Sequence, residues 1–153
     1  MNYSLVTLTE FDIIGIAVRT TNQNRQSQND IGALWRKFMN ENILERIPDK
    51  ESANIYCIYT DYENDFNGGY TTILGCKVNV LANIPEGCIG RTIQAAAYHL
   101  YISKGKIPDC VVATWMHIWQ SEIKRKWQAD FDVYGPKSQD RENAEVTTYL
   151  SVV

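Results

Sequence analysis

The 153-residue chain carries 15 lysines and arginines against 18 aspartates and glutamates, a formal net charge of −3. That balance argues against a surface built to grip nucleic acid, and 44% hydrophobic with 22% charged residues is the composition of a globular domain with a real interior. No apolar run reaches the length of a membrane span and no charged, then hydrophobic, leader opens the chain, so a cytoplasmic protein without membrane contact is expected.

The segment SLVTLTEFDIIGIAVRT (4–20) is dense in β-branched residues and predicts a strand. NQNRQSQND (22–30) is polar throughout and predicts a loop, the lid or rim of any nearby site. In IGALWRKFMNENILERI, Ile31, Leu34, Trp35 and Phe38 recur at helical spacing, and Pro48 closes the helix. ANIYCIYTDY (53–62) and YTTILGCKVNVL (70–81) predict two strands joined by turn residues 63–69. LANIPEGCIGR (81–91) reads as a connector.

TIQAAAYHLYISKG (92–105) predicts the next strand, and Pro108 with Asp109 starts a helix expected over 110–127. Val112, Trp115, Met116, Trp119 and Ile123 share one stripe of it, and Lys124, Arg125 and Lys126 read as its solvated C-terminal cap. ADFDVYG and AEVTTYLSVV are the last two strands, on either side of the loop 136–143. The order β-α-β-β thus occurs twice. Trp35 and Trp115 are 80 residues apart, Tyr59 and Tyr134 are 75 apart, and Thr71-Thr72 precede Thr147-Thr148 by 76. Drifting offsets of this kind are what loop-length changes produce between duplicated units, so one domain of two repeats is expected, about 3–81 and about 91–153.

Two β-α-β-β units, a helix with paired tryptophans, the strand Phe131-Asp132-Val133-Tyr134 and a terminal TTYLSVV resemble the GyrI-like small-molecule-binding domain, the effector-binding part of AraC-type and MerR-type multidrug regulators. The resemblance runs over roughly residues 3–153. It implies an α+β fold, a tandem repeat about a pseudo-twofold axis, with antiparallel sheets framing a central cleft and helices packed behind. Here Asp132 stands where the family usually has Glu, and Ser151 where it usually has proline. With the first strand starting at residue 3 and no helix-turn-helix ahead of it, the stand-alone form is expected.

Period-two alternation sets Phe131 and Val133 on one face of their strand, Asp132 and Tyr134 on the other. Phe131, Val133, Tyr56 and Ile58 are expected to pack on the helix side. Asp132, Tyr134, Tyr59 and Tyr149 are expected to face the cleft, with Trp119 at its edge. Trp115, repeated by Trp35, reads as core, with ligand contact as its other reading, and Glu122 falls near the edge of the same helical stripe, where it would reach the cleft as a further ligand contact. An acid beside aromatic walls suits hydrophobic aromatic ligands, cationic or neutral. On this reading the cleft is acidic at Asp132 alone.

The cysteines Cys57, Cys76, Cys88 and Cys110 include no Cys-x-x-Cys pair, and neither His99 nor His117 has a partner at ligand spacing, so no metal and no cofactor are expected. Nothing in the sequence pairs a nucleophile with a base. Two other readings remain open at this stage. One is a hydrolase of electrophilic aromatic natural products, using Asp132 with Glu122. The other is a gyrase-inhibitor-like module whose same surface meets a protein partner.

Overall fold

The computed structural model describes residues 1–65 and 67–153. Phe66, within the turn expected over 63–69, lies outside the described residues. Eight strands form one antiparallel sheet: β1 (Ser4–Leu8), β2 (Phe11–Thr21), β3 (Ile55–Thr60), β4 (Gly69–Val78), β5 (Ile89–Ile93), β6 (Ala96–Gly105), β7 (Ala129–Tyr134) and β8 (Ala144–Val152). Helices α1 (Gln26–Asn40), α2 (Ile43–Arg46) and α3 (Asp109–Gln120) lie on one side of it.

The sheet order is β1-β6-β8-β7-β3-β4-β2-β5, with the same sequence of roles from either edge inward. At its centre Tyr59 pairs with Asp130 and Ile55 with Tyr134, so a shift of 75 residues carries this ladder onto itself, with the Cys57–Asp132 rung in the middle. The outermost ladders correspond at a shift of 85, Leu8–Ala96 to Phe11–Ile93. Cys57–Leu74 corresponds to Asp132–Thr148. Thr148 therefore stands where the other half has Leu74, not Thr72.

Four local expectations are corrected. The first strand breaks at Thr9-Glu10 into β1 and β2, and the connector 81–91 contains the start of β5. These short strands are exchanged: β1 pairs with β6 of the second half, and β5 with β2 of the first. The polar stretch 22–30 is mostly the first turns of α1. The second helix stops at Gln120, seven residues early, and the following strap runs extended toward the end of β8, where Arg125 bridges Val152.

Phe11 of β2 packs on Phe131 of β7, ring centroids 5.4 Å apart, although two strands separate them. Flat strands would put them about 14 Å apart, so the sheet is strongly curved. Its concave side is filled by Phe11, Ile13, Ile58, Ile73, Tyr98 and Phe131. The close β2–β4 approach is marked by Gly15 opposite Gly75, where an added Cβ on either would run into the other strand's carbonyl. On the convex side α1 buries Leu34 and Phe38 against β2 and β4, and α3 buries Val111, Trp115 and Ile118 against β6 and β8. The central strands β3 and β7 stay uncovered between the two helices. That gap is the site.

Candidate functional site: an aromatic cleft over two buried carboxylates

The cleft between α1 and α3 encloses about 490 Å³. Ile31 and Trp35 of α1 form one wall, and Val112, Trp115, Met116 and Trp119 of α3 the other. Tyr59 and Tyr134 make the floor, and Tyr62, Arg125 and Trp127 close one end. The aromatic rings cross between halves: Trp35 meets Tyr134 edge-to-face at 5.0 Å and Trp115 meets Tyr59 at 5.4 Å. Edge-to-face packing stiffens the walls and leaves ring faces for a ligand.

Asp132 lies under this floor, fully buried. Its Oδ1 accepts from Thr148 Oγ1 at 2.5 Å and its Oδ2 from the Tyr59 hydroxyl at 2.9 Å. Trp115 Nε1 donates to both oxygens, at 3.1 and 3.2 Å. Among the described residues no lysine or arginine is in ion-pair contact with it. Burial pushes its carboxyl up to about 6, against the three sets of hydrogen bonds that hold it down. Burial, and then the Asp132 charge, push the phenols of Tyr59 and Tyr134 well above the usual range, so both stay neutral donors. Burial likewise pushes the Cys57 thiol up.

A second carboxylate shares the face. Asp130, also fully buried, accepts from the backbone and hydroxyl of Ser151, from the Tyr62 hydroxyl, and from Arg125 in an ion pair of 2.8 Å. The floor is therefore acidic at two points, one of them paired. Asp130 was legible as Asp132's neighbour at a spacing of two.

Of the residues singled out from sequence, Tyr59, Trp115, Trp119 and Tyr134 line the cleft, and Asp132 sits beneath it. Trp119 is 44% exposed, and Trp115 is both core and wall. Two do not belong. Tyr149 stacks on Phe131 at 4.7 Å on the concave side, because its neighbour Thr148 takes the Asp132 face. Glu122 is exposed beyond the early end of α3 and is not among the residues lining the cleft. The faces of β7 are also reversed from expectation: Asp132 and Tyr134 face the helices, and Phe131, Val133, Tyr56 and Ile58 belong to the concave core. The helices are the cleft's walls. Arg125 is drawn into the cleft instead of capping a helix. Among the described residues no group of three or more His, Cys, Asp or Glu could hold a metal ion, and no helix is long and apolar enough to cross a membrane.

The profile of the integron-associated effector-binding proteins, Cass2, matches residues 4–152. The chain belongs to this family. As a Cass2-family member it has the GyrI-like effector-binding fold, α+β with a large antiparallel sheet. It is 26% identical over 143 residues to the putative transcriptional regulator YobU of Bacillus subtilis, covering 90% of this chain and 89% of that one. The integron cassette protein Cass2 of Vibrio cholerae superposes with a TM-score of 0.77 at 23% identity, over 99% of this chain and 95% of the other. SAV2435, solved bound to tetraphenylphosphonium, superposes with a TM-score of 0.78 at 19% identity, over 100% and 94%. Small-molecule binding is the activity that this Cass2-family membership supports.

Proposed function

We propose that this protein is a cytoplasmic receptor for one hydrophobic aromatic molecule, held between α1 and α3, with cations preferred over neutral compounds of the same shape. The observation that carries this reading is Asp132, a buried carboxylate with no lysine or arginine in ion-pair contact among the described residues. A cation on the Tyr59 and Trp115 faces meets both ring quadrupoles and the carboxylate behind them, each ring contributing about 0.5–2 kcal/mol. The acceptor positions of Asp132 are already used by Tyr59, Trp115 and Thr148, which favours bulky cations with spread charge over ammonium groups in need of acceptors. SAV2435, bound to tetraphenylphosphonium, is similar in fold and offers the first compound to try.

The test is calorimetric titration of tetraphenylphosphonium against neutral triphenylphosphine oxide, into the protein and into Asp132→Asn. A cation preference that shrinks by about 1.5–3 kcal/mol in the variant supports the reading. Equal losses for both compounds would leave Asp132 shaping the cleft without reading charge.

A further inference from the structure

The two ends of the cleft floor are chemically unequal, although the backbone treats them alike. Lys50 bridges Val78 in the first half as Arg125 bridges Val152 in the second, and Ile55 holds the ladder position that Asp130 holds in the other half. With Ile55 in place of an acid, Lys50 donates its Nζ to the Ile47 carbonyl at 2.7 Å. Arg125 turns into the cleft. Its Nη2 reaches Asp130 Oδ2 at 2.8 Å, its Cζ lies 3.7 Å from the centre of the Trp127 ring, and the rings of Tyr62 and Trp115 stand at 5.9 Å. Trp127 holds a left-handed backbone, φ 57°, an unfavourable conformation for a bulky residue. The surroundings hold the ring there against that preference.

A carboxylate behind aromatic rings is a receptor for a cation. Here the occupant is attached to the chain. Asp130 keeps other partners without it, since Ser151 and Tyr62 still donate three hydrogen bonds. Arg125 is held by one short contact, where a forked guanidinium–carboxylate pair makes two, and its Nε is buried without a partner among the described residues. Trp115 joins this end to the other, its Nε1 on Asp132 and its ring beside Arg125.

We propose that Asp130, Tyr62, Trp115 and Trp127 form a second cation subsite of the cleft, filled in the free protein by Arg125, and that an aromatic ligand with two cationic groups binds by displacing that guanidinium. The subsite stands on its own geometry. The dication as ligand rests on the proposed function.

Two measurements on the full chain test the two parts, using Arg125→Met and the double variant Arg125→Met/Asp130→Asn. The first is thermal unfolding with and without methylguanidinium chloride. The salt should raise the melting temperature of Arg125→Met, or restore its folding if it does not fold alone, and should do neither for the double variant. No effect on Arg125→Met, or equal effects on both variants, would overturn the subsite. The second compares benzyltrimethylammonium with its para-xylylene bis(trimethylammonium) counterpart by calorimetry. The dication-to-monocation affinity ratio should rise about tenfold or more in Arg125→Met, which is about 1.4 kcal/mol, and fall back in the double variant. An unchanged ratio in a folded Arg125→Met that still binds the monocation would overturn displacement by dications. If neither compound binds any variant, the failure belongs to the ligand reading, and the methylguanidinium result still decides the subsite.

Discussion

Cys57 and Asp132 face each other on the central rung of the sheet, a thiol opposite a carboxylate where a residue of one half pairs with its own counterpart in the other. Both are buried, and Tyr59 touches both, its hydroxyl accepting from Cys57 Sγ at 3.3 Å and donating to Asp132. The centre of the floor thus carries a charge in one half where the other half has a thiol.

That charge makes binding depend on pH. With its carboxyl raised to about 6, Asp132 is mostly ionised at pH 7.5 and mostly neutral at pH 5. The affinity of tetraphenylphosphonium should fall as pH drops through 6, by up to about tenfold per unit below it. Triphenylphosphine oxide should show no such slope. Calorimetry between pH 5 and 8 reads both, and parallel slopes would remove Asp132 as the cause.

Stability should run the other way. An acid with a raised folded-state pKa contributes most below its unfolded value near 3.8. That contribution is lost as pH climbs toward about 6, in total about 3 kcal/mol. Asp132→Asn should lack this slope between pH 4 and 7. Urea unfolding of both proteins at several pH values measures the difference.

Thr148→Val removes one donor from Asp132 without changing side-chain size. The carboxyl should rise further, moving the midpoint of cation binding to higher pH, with about 1–3 kcal/mol of stability lost at pH 7. An unshifted midpoint would mean that Thr148 contributes nothing to the charge state.

The two tryptophans of α3 should separate cleanly. Trp119 is 44% exposed and on the cleft rim, so Trp119→Leu should cost under about 1 kcal/mol while removing much of the ligand-induced fluorescence change. Trp115→Leu empties a core position and strips Nε1 from a buried carboxylate, a loss of about 3–5 kcal/mol. Denaturant titration and ligand quenching on each variant check the pair.

Gly75→Ala puts a methyl against the Ile14 carbonyl at a close β2–β4 contact, and should cost at least about 1–3 kcal/mol with little change in ligand selectivity. Its counterpart in the second half is Tyr149, so a side chain is excluded by the local approach and not by the architecture.

Much of this was legible in the sequence. The helical face of Ile31, Leu34, Trp35 and Phe38 and the Asp132–Tyr134 alternation follow from local periodicity. What periodicity does not tell is which side of a strand the helices occupy, and on β7 both sides are buried, Phe131 on one and Asp132 on the other. Tyr149 was misplaced because its face depends on register with β7, which no spacing within β8 reveals. Arg125 was hidden differently. Residues 124–126 have the charge of a helix cap, but their backbone is claimed by β8: Lys126 donates to the Ser151 carbonyl and Val153 to that of Lys124. β5 was masked by the Pro and Gly residues just before it.

The exchange of β1 and β5 limits how an occupied cleft can be felt elsewhere. Each half wears an edge strand that belongs to the other, so the halves are laced together like two hands with a finger crossed from each. Parting them along β3 and β7 would require unlacing both edges at once. The floor therefore behaves as a fixed plate, and what a bound molecule can shift is the frame around it: α1, α3, and the strap that carries Arg125.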